Sequence, residues 1–244
     1  MRYIAPLQTD RINAHLRELT IGEAIELAGV PEHTEEVART RLLRAIVISS
    51  TGLVPDPADW TVEERIYAVA HYLSAVDDEP NIRIHGGGVL TDYVRFDDAA
   101  VPDVIDLADF GAAGLTLTQM TGAQSELVQP LASTALDWTF ADMAVRLRRN
   151  ADDRPCHKTA PAEFTGWVSR SMDALRGMPA SDFEPLFAAY AEGKQRLAHI
   201  WRIAFDDLGH VCLPKDKEAG LSPARFQVSD CAGELACGLA RLLA

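Results

Sequence analysis

The sequence of 244 residues lacks several features that would have assigned it to a common class of protein. Its four cysteines include no pair at the C-x-x-C spacing that zinc knuckles and thioredoxin-like redox sites use. It contains no run of about 18 apolar residues, the length that a membrane-spanning helix needs. Basic residues are scarce, since 23 Lys and Arg stand against 36 Asp and Glu and leave a net charge of −13. Because binding to phosphate depends on Lys and Arg, we expect no nucleic-acid partner, and we expect no membrane partner, metal or cofactor.

The first sixteen residues, MRYIAPLQTDRINAHL, also lack the features of a leader. Asp10 and Arg11 interrupt them before an apolar segment of signal-peptide length can form. We therefore expect the chain to be made and kept in the cytoplasm.

One short motif suggests a hydrolase. His85, Gly86, Gly87 and Gly88 match the loop that builds the oxyanion hole of many lipases and esterases. That chemistry also needs a serine in a G-x-S-x-G turn, and no serine in the sequence has both glycines. We interpret the glycines as a tight reversal between two short strands, because glycine adopts conformations that other residues avoid. No catalytic residue is assigned.

The segments around this motif are rich in carboxylates, but the calcium-loop spacing is absent. A solvated acidic surface is the simpler interpretation. The alternative is a bacterial cytosolic enzyme of unrecognised type, with a site formed by His85, the acidic loop and His71. The acidic residues of the loop are Asp77, Asp78, Glu79, Asp92, Asp97, Asp98, Asp103, Asp106 and Asp109.

Helix-start signals dominate the rest of the chain. Capping boxes, in which a hydroxyl and an acid or amide three residues later satisfy each other's backbone amides, are predicted at Thr20, Thr61, Thr121 and Ser181. Apolar residues at helical spacing follow each of them. The longest helix is predicted to run from Ser181 as far as Phe205. The fold class predicted is mainly α, a helical domain with a small β-hairpin excursion near residues 81–96, and no internal repeat is apparent.

The polar segment 150–161 is predicted to link two regions. Residues 1–150 would form a helical domain with a β-containing insertion at 77–114, and residues 161–244 a C-terminal helical region. A terminal helix is expected over residues 229–243. Leu235, Leu239 and Leu242 share one face of it, which either contacts a partner protein, as we predict, or folds back onto the core of the same chain.

Three segments carry a resemblance to a known family. They are LRELTIGEAIELAGVP (residues 16–31), WTVEERIYAVAHYL (60–73) and LTLTQMTGAQSELV (115–128), the last followed by WTFADMAVRL. Together they resemble the baseplate hub assembly and tail assembly chaperone proteins of tailed bacteriophages.

The resemblance implies a protein that is not an enzyme. It would bind other tail or baseplate proteins, with the hub and the tape measure as the candidate partners, and self-association stays open. It would act in the host cytoplasm during assembly, either as an assembly factor or as a permanent part of the virion tail.

Overall fold

The structure, a computed structural model, describes residues 3–84, 87–95, 102–149 and 154–243. Helices account for 52% of the residues in this structure and strands for 18%. The strands form three small antiparallel sheets. The fold is therefore a mixture of α and β structure. The prediction of a mainly α fold with a single hairpin is wrong.

The first part of the chain contains three strands and three α-helices, and we call these six elements together the first unit. Its sheet has the order β1-β2-β3, with antiparallel pairing throughout. The six elements are β1 (Leu7–Gln8), β2 (Ile12–Leu16), α1 (Ile21–Ala28), α2 (Glu35–Ile46), β3 (Val47–Gly52) and α3 (Val62–Asp77).

The same order of elements then recurs in what we call the second unit. Its antiparallel sheet has the order β4-β5-β6. The elements are β4 (Val104–Asp106), β5 (Leu115–Thr118), α4 (Gly122–Val128), α5 (Ala135–Arg146), β6 (Leu147–Arg149) and α6 (Pro161–Arg176).

The two units agree in detail. Helices α2 and α5 both have 12 residues and pass directly into an edge strand, and α3 and α6 both have 16 residues. In each unit a threonine, Thr20 or Thr121, caps the first helix through a capping box. The chain therefore contains a structural repeat, which the sequence did not reveal because equivalent positions carry different side chains. Ala68 and Trp167, for example, are each the seventh residue of their helices, α3 and α6.

The remaining elements follow the repeat. They are α7 (Ala180–Leu197), β7 (Arg202–Asp206), β8 (Gly209–Leu213) and α8 (Val228–Leu243). The predicted extension of the long helix to Phe205 is wrong. The backbone becomes extended at Ala198, and Ile200 has a φ of 60°. Phe205 instead lies in a strand of the β7–β8 hairpin, where its ring stacks on Trp138 with centroids 6.1 Å apart.

The hairpin predicted near residues 81–96 is reduced to one antiparallel bridge between Arg83 and Val89 in the residues described there. Gly87 and Gly88 have φ angles of 110° and 83°, which non-glycine residues rarely adopt. A short 3-10 turn follows at Leu90–Asp92 and ends the extended backbone. Residues 85–86 and 96–101 lie outside the described ranges.

Three of the four predicted capping boxes are confirmed, at Thr20, Thr61 and Thr121. The box at Ser181 is wrong, since α7 begins at Ala180 and its N-cap residue makes no side-chain hydrogen bond. A box that was not predicted caps α5, where the Thr134 hydroxyl accepts from the Asp137 amide at 3.1 Å. Aspartate takes the place there of the Glu or Gln that defines the usual pattern.

Buried apolar side chains form two clusters. The larger one includes residues from both sides of the predicted linker, among them Ile46, Val69, Phe164 and Trp201. The division of the chain at 150–161 stays a prediction. The smaller one, the second core, lies between the sheet of the second unit and α7, and consists of Leu107, Leu117, Met143, Tyr190 and Leu197.

Gly193 lets α7 approach this second core. A Cβ atom there would lie 2.6 Å from Leu107 Cδ2 and 3.2 Å from Leu117 Cδ2. We expect Gly193→Ala to lower the free energy of unfolding by about 1–3 kcal/mol through overpacking, although alanine favours a helix by about 1 kcal/mol. Urea denaturation would measure the change. In the control, Gly166→Ala in α6, the nearest atom is Arg170 Nη1 at 3.5 Å, so a gain of about 0.5–1 kcal/mol is expected. Equal stabilisation by both substitutions would contradict the overpacking.

Candidate functional site

Helix α8 carries the predicted partner-binding leucines. Its first turn is tied to the first unit, because the Val228 amide donates to the Glu35 carboxylate at 3.0 Å and Cys231 is buried. The helix is kinked at Gly233, where φ is 76° and ψ is 160°. Only glycine adopts this conformation readily, so the kink sets the direction of the second half of α8.

The three leucines differ in exposure. Leu235 lies just after the kink and is 71% exposed. Leu239, one turn later, is half-buried. Leu242 lies in α8, but its side chain is outside the described part of the structure. Leu235 is thus the more exposed of the two leucines of α8 whose side chains are described, and we call the part of the helix around it the α8 surface.

A cleft of about 830 Å³ lies beside this helix, between α8, the end of α3 and the segment 82–84. Its lining carries charges of both signs, with Asp77 on α3 and Arg241 on α8 among them. Arg225 also lines the cleft, but its guanidinium already bonds Asp206 and the Leu208 carbonyl. The mixed charge favours no single class of ligand.

The acidic residues proposed for an enzyme site are dispersed. The Asp92 carboxylate accepts from the Val89 amide at 2.8 Å, and Asp106 accepts from the Ala108 amide at 2.9 Å. Asp103 lies 3.7 Å from Arg11, and the His71 ring is 2.7 Å from the Ala5 carbonyl. These carboxylates cap turns or pair locally. His85, Asp97 and Asp98 lie outside the described residues.

Two groups of charged side chains inside the protein were not predicted. The first, the Glu36 network, connects α2, α3 and β8. Glu36 forms an ion pair with Arg39, lies 3.8 Å from Arg65 and meets His210 at 3.2 Å. Burial opposes ionisation of Glu36, but Arg39, His210 and Arg65 outweigh it and hold the pKa of this carboxyl below its usual value.

Glu35, next to this network, behaves in the opposite way. Burial raises the pKa of its carboxyl to about 7, although Arg39 lies 3.6 Å away and the Val228 amide donates to it. The N-terminus of α8 is therefore held by a carboxyl that changes charge near neutral pH.

The second group, the Asp142 network, joins α3, α5 and α7. The Asp142 carboxylate accepts from Arg146 Nε at 2.7 Å and from the Tyr190 hydroxyl, and lies 3.3 Å from Lys194 Nζ. Arg146 also reaches Glu63 of α3 at 3.6 Å. All of these side chains except that of Lys194 are buried, and Lys194 is largely covered.

Burial also governs ionisation in the Asp142 network. It opposes the charged form of Asp142, yet Arg146 and Lys194 outweigh it, so the pKa of Asp142 is lowered. Burial lowers the pKa of Lys194 and raises that of Tyr190. A cavity of about 370 Å³ opens beside Lys194, whose ammonium lies 4.0 Å from the centre of the Phe205 ring. Because these groups bond each other, the network holds three helices together.

Sequence reasoning missed both networks because charged residues in a helix are ordinarily exposed. Glu63, Glu64 and Arg65 stand together in the first turn of α3, a pattern that is typical of a solvated helix end. The one available signal was their position directly after Trp60 and Thr61, which places them at the start of a helix with a buried stripe.

Comparisons with known proteins do not supply a function. No family model matches the chain, and neither curated proteins nor solved structures include a match. Within the described ranges, none of the helices combines the length and apolar character that crossing a membrane requires. Nor do the described side chains of His, Cys, Asp and Glu form a group of three or more that could hold a metal ion.

Proposed function

We propose that the protein is a non-enzymatic component of a bacteriophage tail or baseplate, which binds other tail proteins during assembly or in the finished particle. Its resemblance to hub assembly and tail assembly chaperone proteins supports this proposal. The hub and tape-measure proteins are the partners that this resemblance implies.

The observation that carries the proposal is the α8 surface. Leu235 is 71% exposed on a helix whose beginning is anchored to the first unit through Glu35 and Cys231. The apolar face of an amphipathic helix is a common anchor for a protein partner, and Leu235 lies with the half-buried Leu239 on one face of α8. The Gly233 kink presents it at a defined angle.

The test is to purify the tagged protein from cells that express it with its neighbouring genes, and to identify what co-purifies by mass spectrometry. We expect hub or tape-measure proteins to be recovered with the native chain. Leu235→Glu should reduce their recovery at least tenfold, since it places a charge in an apolar contact. Truncation before Ser229 should abolish it.

The matched control is Leu136→Glu, because Leu136 is 62% exposed but lies at the start of α5. It should leave recovery unchanged. Tail partners that survive Leu235→Glu would move the contact away from α8. Co-purification of no tail protein at all would contradict the proposed function.

A further inference from the structure

A groove of about 360 Å³ lies on the second unit, between α6 and the junction of α5 with β6. The side chains that line it are largely apolar. The main ones are Leu115, Met143, Leu147, Trp167, Leu175 and Leu186. The groove is thus formed by parts of β5, α5, β6, α6 and α7.

This groove is the open side of the second core. Leu115, Leu147, Leu175 and Leu186 pack against that core but are only partly buried. Their remaining apolar surface faces solvent, where its exposure is unfavourable. The second core therefore lacks cover on this flank.

The two units differ in the burial of corresponding residues on their last helices, α3 and α6. In α3 of the first unit, Ala68 and Tyr72 are buried. Trp167 and Ser171, at the same places in α6, are only half-buried and line the groove. Positions with the same count along the two helices are therefore internal in α3 and partly open in α6.

The charged side chains among the described residues that line the groove have one sign. Among the residues that line it, the charged ones are Arg148 and Arg149 of β6. Both are exposed, and neither forms an ion pair within the described part of the chain. Arg154 lies over the Trp167 ring at 4.4 Å and donates to the Leu147 carbonyl at 2.8 Å, which fixes that wall. In a chain with a net charge of −13, the described lining of the groove is thus basic as well as apolar.

We propose that the groove binds an acidic amphipathic helix of a partner protein. Apolar side chains from successive turns of that helix would enter the groove. Asp or Glu residues on its flank would pair with Arg148 and Arg149, whose guanidinium groups suit carboxylates. The groove is separate from the α8 surface, so this inference does not depend on the function proposed above.

The test uses the full-length protein and a displayed library of helical peptides. The library has leucine fixed at i, i+4 and i+7 and random residues on both flanks. We expect selection to enrich Asp and Glu on one flank. An enriched peptide, made synthetically with a fluorescent label, should lose affinity about tenfold for Arg149→Glu, measured by fluorescence anisotropy. It should also bind weakly to Leu175→Glu, which places a charge in the groove.

The control for charge is Arg170→Glu, an exposed residue of α6 that does not line the groove. Arg170→Glu changes the net charge by the same amount as Arg149→Glu, and it should leave the affinity for the peptide unchanged. Circular dichroism would establish that each variant is folded. Selected peptides without an acidic flank, or binding that Arg149→Glu and Arg170→Glu weaken equally, would overturn the proposal. A dimer in sedimentation that Arg149→Glu abolishes would also overturn it, because a second copy would then occupy the groove.

Discussion

Replacement of Asp142 by asparagine is expected to lower the free energy of unfolding by about 3–5 kcal/mol. Asparagine has nearly the same shape but no charge, so Lys194 would lose the carboxylate that it pairs with, and Arg146 would keep the longer ion pair with Glu63 at 3.6 Å. Arg146 is buried and the side chain of Lys194 is only 17% exposed, so water replaces little of the interaction that the carboxylate supplies. Urea denaturation followed by circular dichroism would measure the loss.

Asp173→Asn serves as the control for this experiment. Asp173 also pairs with an arginine, Arg176 at 3.3 Å, but its side chain is 72% exposed. An exposed pair contributes about 0–1 kcal/mol, so the variant should unfold almost as the native protein does. If Asp142→Asn cost less than about 1 kcal/mol, water would have to reach the network, and its role as a tie between the helices would be rejected.

The stability of the protein is expected to depend on pH through Glu35. The pKa of its carboxyl is raised from 4.5 to about 7 in the folded state. The folded chain therefore binds more protons than the unfolded chain between these two values. The stabilisation is fully present below pH 4.5 and is lost as the pH rises through about 7. At about 1.4 kcal/mol for each pH unit, the total is about 3 kcal/mol.

Glu35→Gln isolates this contribution, because the glutamine oxygen can still accept from the Val228 amide but does not titrate. Urea denaturation of both proteins between pH 4 and pH 8 should show the native chain losing about 3 kcal/mol relative to the variant. A difference that does not change with pH would rule out the titration. If the native chain instead became more stable than the variant as the pH rose, the attraction of Arg39 would outweigh burial in setting the pKa of the Glu35 carboxyl.

Local hydrogen bonding explains which parts of the fold were predictable. The boxes at Thr20, Thr61 and Thr121 join residues three positions apart, so the pattern of residues carries the full information. The box at Thr134 was missed because aspartate replaces the expected Glu or Gln. The reversal at Gly87 and Gly88 was likewise visible, since positive φ angles favour glycine.

The strands were not predictable in this way. Helix α2 continues directly into β3, and the sequence across Ile46 and Val47 shows no stop signal. The change to extended backbone depends on β2, whose Leu16 pairs with Val47. Helix α5 passes into β6 in the same manner, beside β5. In both units, a partner strand about thirty residues earlier in the chain ends the helix, as non-local pairing typically overrides local preference.

The sequence by itself determined where three helices begin, where the chain reverses at residues 87–88, and which segments are apolar enough to be buried. These features depend only on residues close together in the sequence and on the spacing at which apolar residues recur. Only the tertiary structure decided the mixed fold, the repeat of two units, the burial of Glu36 and Asp142, and the open groove beside α6. Each of these depends on side chains far apart in the chain, such as Glu36 with His210 and Asp142 with Lys194. A buried charge is stable only when such partners meet it, and the sequence does not state which residues will meet.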